Sequence, residues 1–157
     1  MTPNVSASVD WTSGKTPSDL QRKLSRLERY FVDEELPRAM GDIARYIERE
    51  AKVRTPVDTG TLRASIASVV EEIAAGYRAL VGTNTEYAAE VEFGTGPHTI
   101  TGTPLRFTVG GEVVFARSVD HPGTPAQPYL SPALRNSERY ITERLQEAFA
   151  AAVRRAR

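Results

Sequence analysis

Ile66-Ala67-Ser68-Val69-Val70-Glu71-Glu72-Ile73-Ala74-Ala75-Gly76-Tyr77-Arg78-Ala79-Leu80-Val81 is the stretch that separates this chain from a purely helical protein. Ile66, Val69, Val70 and Ile73, then Tyr77, Ala79, Leu80 and Val81, read as two strands joined by a turn near Ala75-Gly76. A second pair follows: Leu105, Phe107 and Val109 meet Val113 and Phe115 across Gly110-Gly111, where both positions accept the positive φ of a two-residue hairpin turn. Between the pairs, Glu86 to Phe93 reads as a short helix stopped by Gly94-Thr95-Gly96-Pro97, with loop through Thr103. Ser118 to Tyr129 reads as a further loop.

Outward from these strands the period becomes helical. Thr16-Pro17-Ser18-Asp19 offers a helix start, and Leu20, Leu24, Leu27 and Phe31 form one apolar stripe on a charged segment. A second helix begins near Glu35 or Leu36, with Pro37 in its first turn, where a missing N–H costs little. Its stripe is Leu36, Met40, Ile43, Ala44, Ile47 and Ala51, and Pro56 ends it. A long C-terminal helix is expected from about Ser131-Pro132 to Val153, with Tyr140, Ile141, Leu145, Ala148, Phe149 and Ala152 on its apolar side. At the other end, Val5, Ala7, Val9 and Trp11 alternate with polar residues, as an edge strand or a disordered leader would. The expected class is α+β: a small antiparallel sheet of about four strands packed against two or three amphipathic helices, with long Gly/Pro-rich loops. A single domain over 1–157 is expected, divided into an arm or edge strand (1–16), a helical part (17–55), a sheet part with a short helix and loops (62–118) and a C-terminal helix (131–154).

Composition narrows the functions. The chain has 157 residues, enough to bury roughly two-thirds of its unfolded surface without staples. The absence of cysteine excludes disulfides, thiolate metal sites and a cysteine nucleophile. Twenty basic and twenty acidic side chains cancel, whereas a protein gripping DNA phosphates usually carries a basic excess. The local exception is Arg154-Arg155-Ala156-Arg157, a group that more often complements the dipole of a helix end. No apolar run approaches the length of a membrane crossing, and the first residues do not read as a signal peptide.

Few residues offer chemistry. Asp58-Thr59-Gly60 matches the aspartic-peptidase triplet, in which two aspartates share a proton, so a single copy would need a dimer. Asp58 follows an amphipathic helix, however, where the catalytic loop should leave an apolar strand. The simpler reading is that Asp58 and Thr59 cap a short helix near Thr61-Leu62-Arg63, with Gly60 giving flexibility. His98 and His121 are the only histidines and lack zinc-site spacing or a serine-triad partner. Gly94-Thr95-Gly96 lacks the glycine and lysine of a phosphate loop. No cofactor and no metal are expected.

The order of the loop phrases is more specific than any one of them. Ala51-Lys52-Val53-Arg54-Thr55-Pro56-Val57-Asp58-Thr59-Gly60-Thr61-Leu62-Arg63-Ala64-Ser65-Ile66 precedes Val81-Gly82-Thr83 and Tyr87-Ala88-Ala89-Glu90-Val91-Glu92-Phe93-Gly94-Thr95-Gly96. His121-Pro122-Gly123-Thr124-Pro125-Ala126-Gln127-Pro128-Tyr129-Leu130-Ser131-Pro132-Ala133-Leu134 comes later. From about Leu36 to Leu145 this series closely resembles the tail-component family of long-tailed double-stranded DNA phages and prophages, also called neck or tail-completion proteins. The stretch Ile100 to Ala116 is shorter than in many members.

The resemblance implies a non-enzymatic structural virion protein of the neck or upper tail, assembled in the host cytoplasm. It implies a homo-oligomeric ring, expected to be a hexamer because tails are commonly sixfold, that completes the tail or joins it to the filled head. Its partners would be the connector or stopper and the tail tube or tail terminator, with DNA passing through the lumen without specific binding and no membrane involved. The expected interface lies in the loops Gly94–Pro97 and His121–Pro132, with Tyr87, Phe93 and Tyr129 as aromatic anchors beside Thr95, His121 and Pro122. On that expectation, removing the Tyr129 ring leaves a folded monomer and weakens assembly. The alternative is a dimeric aspartic-type peptidase using Asp58.

Overall fold

Thr16 opens the first helix by exchanging hydrogen bonds with Asp19: its hydroxyl accepts from the Asp19 N–H at 3.3 Å, and its own N–H donates to the Asp19 carboxylate at 2.9 Å. The computed structural model describes residues 16–157, so the alternating segment Val5 to Trp11 lies outside the described residues. Helix α1 (Pro17–Arg29) runs through a π-helical turn (Tyr30–Glu35) directly into α2 (Leu36–Arg54), one continuous helical rod where two helices were expected. Pro37 accounts for the wide turn. It has no N–H and its ring crowds the preceding turn, and the chain responds by letting the Leu36 N–H reach back to the Phe31 carbonyl.

The first hairpin follows closely the strands read from the sequence. After the short helix α3 (Thr61–Ser65), strand β1 (Ala67–Ile73) pairs antiparallel with β2 (Gly76–Gly82), in register from Ala67↔Gly82 to Ile73↔Gly76. This hairpin packs on α2. Glu48 joins the two layers by accepting from the Lys52 ammonium at 2.5 Å and the Ser68 hydroxyl at 2.6 Å. Helix α4 (Ala88–Phe93) ends at Gly94, as expected.

The second hairpin departs from expectation. Strand β3 (His98–Val109) and strand β4 (Glu112–His121) turn at Gly110-Gly111, both at positive φ, but they are far longer than the segments first read as strands. Thr99, Ile100 and Thr101, read as loop, pair with Asp120, Val119 and Ser118. Pro104 is accommodated in a register irregularity between Thr101 and Leu105, where a missing N–H interrupts no ladder bond. Among the described residues the expected four-stranded sheet is not formed: β1–β2 and β3–β4 are separate two-stranded sheets. The first has one inward face to lay on α2, whereas the second has apolar residues on both faces and no helix or other strand packed against it beyond glancing contact.

The C-terminal helix is broken. Helix α5 (Leu130–Asn136) and helix α6 (Glu138–Ala156) meet at Ser137, which is fully buried and turns its hydroxyl back onto the Ala133 carbonyl at 2.6 Å. The break lets α5 pack on α2 while α6 lies along α1, the π-helical turn and α2. Ala148, Ala152 and Ala156, one turn apart and all buried, let α6 approach closely. Arg144 fixes α6 to α2 through Asp42, at 2.7 and 2.9 Å. The core gathers Ile43, Ile47 and Ala51 of α2 with Leu62, Ile66, Ala88, Tyr129 and Ala133. Among the described residues no helix is long and apolar enough to cross a membrane.

Candidate assembly surface

The segments Gly94–Pro97 and His121–Pro132, read as loops, form a tied base from which the β3–β4 ribbon leaves the core. Glu92 organises it. Ala88, Val91 and Glu92 fall at helical spacing on the packed side of α4, so this carboxylate is carried inward and is 5% exposed. It accepts from the N–H groups of Tyr129, Leu130 and Ser131 at 2.7, 2.9 and 2.9 Å, and from the Ser131 hydroxyl at 2.6 Å. Burial pushes its carboxyl up, but the Ser131 hydroxyl and the three N–H groups outweigh burial and hold it below the usual glutamate value. One side chain from α4 thereby satisfies the otherwise unpaired donors at the start of α5.

A backbone clasp lies beside it. Thr95 and Thr124 exchange N–H···O bonds at 2.9 and 3.1 Å, the Thr95 hydroxyl accepts from the Thr124 N–H at 2.9 Å, and the Gln127 N–H reaches the Val91 carbonyl at 2.8 Å. Gly94 (φ 73°) and Gly123 (φ 89°) make this approach possible. A Cβ on Gly94 would stand 2.6 Å from the Thr124 carbonyl oxygen, and one on Gly123 would collide with the Thr95 carbonyl.

His98 and His121 are register partners on the first rung of the ribbon, with ring centroids 5.1 Å apart. The His98 Nδ1 lies 3.0 Å from the Gly96 carbonyl and donates to it, while the His121 Nδ1 accepts from the Gly123 N–H at 3.1 Å. Both rings are thus oriented by the clasp.

The six residues expected at an interface fall in different places. Phe93 is 75% exposed at the end of α4, and Tyr87, 43% exposed, immediately precedes that helix. Thr95 is in the clasp, half-buried His121 ends β4, and exposed Pro122 follows it. Tyr129 is different: it is fully buried in the core, so it is not a surface anchor, and its hydroxyl has no hydrogen-bond partner among the described residues. The aromatic ring plugs the space beneath the clasp.

Asp58 sits on an exposed turn beside a groove of about 400 Å³, walled by Thr59, Tyr87, Val91 and Gln127. Among the described residues no second carboxylate lines that groove. The expected cap is also altered: Gly60, at φ 82°, is the residue that caps α3, Asp58 makes no hydrogen bond among the described residues, and Thr59 shares a 2.9 Å hydroxyl–hydroxyl bond with Thr61 and accepts a long 3.4 Å bond from the Thr61 N–H. The basic tail is used internally at Arg155, which pairs with Glu34 at 2.7 Å and Glu35 at 3.3 Å and lies 4.5 Å over the Tyr30 ring. Among the described residues no group of three or more histidine, aspartate or glutamate side chains could hold a metal ion.

The sequence reading missed Glu92, Ser131 and the Gly94–Gly123 clasp. A glutamate on the same helical stripe as Ala88 and Val91 was the available signal. A comparison with protein-family models matches residues 18–94 to a family described as "Bacteriophage HK97-gp10, putative tail-component". No curated protein and no solved structure gives a significant match.

Proposed function

We propose that this chain, whose residues 18–94 match the HK97-gp10-like family of bacteriophage tail components, forms a homo-oligomeric ring in the neck or upper tail. The ring completes the tail and joins it to the DNA-filled head, between the connector or stopper and the tail tube or terminator. Six copies suit the usual tail symmetry. The family match is the observation that carries this reading.

Three physical features support it. A ring needs head-to-tail contacts that close, hence two different surfaces on one chain. The ribbon, projecting from a tied base, is one surface that the free chain leaves uncovered. Phe93 and Tyr87 supply exposed aromatic area near that base, with Thr95, His121 and Pro122 beside them. Equal numbers of acidic and basic side chains suit a lumen through which DNA slides without being held.

Electron microscopy of particles made without this chain tests the role. Filled heads and separate or unfinished tails, joined again when purified protein is added, are expected. Complete, attached tails in its absence contradict the proposal.

A further inference from the structure

The β3–β4 ribbon has two faces of opposite character. Partners directly across an antiparallel ladder share a face, and alternate residues switch face. One face therefore carries Ile100, Val113, Phe115 and Val119 with Arg106 and Arg117. The other carries Leu105, Phe107, Val114 and Ala116 with Glu112 and Asp120. Each face thus bears an apolar cluster, with His98, Thr108 and His121 also on the first face and Thr99, Thr101 and Ser118 also on the second. One bears cations without a carboxylate, and the other bears carboxylates without a cation. None of these four charges forms an ion pair among the described residues; Asp120 accepts only from the Thr99 hydroxyl, at 2.8 Å. Phe115 is 62% exposed.

We propose that ribbons of successive copies stack face on face, the arginine face of one chain against the carboxylate face of the next. This inference rests on the assembly reading above and names its contact. A two-stranded ribbon is marginal alone in water and needs a layer against its apolar side. This ribbon has two such sides, and one kind of neighbour covers both only if each copy is sandwiched between two others. The charges select that arrangement, because like faces repel and unlike faces pair. The contact is heterologous, so it propagates from copy to copy and can close into a ring. Edge-to-edge pairing into a barrel is a poorer solution, since one apolar face would remain toward the lumen. DNA is a poorer occupant, since the carboxylate face repels phosphate. The clasp at Thr95–Thr124 sets the ribbon's direction before assembly, and its ten-residue strand β4 spans about 33 Å.

Two variants test this. Arg106→Glu with Arg117→Glu makes both faces acidic, and Glu112→Arg with Asp120→Arg makes both basic. By sedimentation velocity at low salt, the unaltered chain is expected as a closed oligomer and each variant as a monomer, weakened about tenfold or more. A one-to-one mixture of the variants is expected to recover the oligomer, because acidic ribbons then alternate with basic ones. That recovery also shows that neither variant is misfolded. Variants that assemble like the unaltered chain, a mixture that stays monomeric, or an unaltered chain that is monomeric at every concentration overturn the proposal. So does duplex binding that depends on the arginines while assembly does not. If assembly ignores the charges while particles lacking the chain still fail to join heads to tails, the ribbon contact is wrong and the tail role stands.

Discussion

Glu92 receives four hydrogen bonds in a setting that admits little water, and its acidity follows from that. Its folded pKa lies below its unfolded value, so its contribution is complete above about pH 5 and is lost as acid carries the pH through the lowered value. Glu92→Gln leaves an amide N–H facing donors, so thermal melts at neutral pH should show a loss of about 2 kcal/mol and a flatter acid limb. Tyr129 makes a sharper distinction. Tyr129→Phe removes an unpartnered buried hydroxyl and should be neutral or stabilising by up to about 1 kcal/mol, whereas Tyr129→Ala should cost about 4 kcal/mol in denaturant titrations. A folded, fully stable Tyr129→Ala monomer would restore this residue to the surface role first expected of it. Gly94→Ala meets both a positive φ and the Thr124 carbonyl, so a loss of about 2 kcal/mol or more is expected, with faster amide exchange at Thr95 and Thr124.

At the scale of elements, the ribbon and the core are energetically separable. Replacing Thr99–Asp120 by a short Gly-Ser link should shift the melting temperature by less than about 3 °C while abolishing assembly, because no element of the core rests on the ribbon. A large loss of stability would mean that β3–β4 is part of the core after all. The same separation explains what could be read from the sequence. Elements with one apolar side were legible: the α2 stripe with its stop at Pro56, the β1–β2 hairpin, and the Gly110-Gly111 turn. The ribbon was cut short because His98–Thr103 and Ser118–His121 have no one-sided pattern, and Pro104 resembles a loop marker until its place in the irregularity is seen. The join at Ser137 was invisible because serine within a helical pattern gives no break signal of its own. The glycine clasp acts across 29 residues of chain and Glu92 across 37 to 39, so their partners come from tertiary structure and not from local pattern.

For the whole molecule, a helical rod with a small sheet laid on it forms the packed body, and the tied ribbon stands apart from it. Ionic strength should matter to assembly more than to folding. In the proposed stacking the exposed ribbon charges act between copies, whereas Asp42–Arg144 is partly shielded inside one chain, so added salt should dissociate oligomers well before it alters the melting curve. Cryo-electron microscopy of intact virions tests the central claim most directly. A ring of this chain at the head-to-tail junction, with ribbons stacked between neighbouring copies, is the predicted density; complete virions whose neck and tail contain no copy of the chain would contradict it.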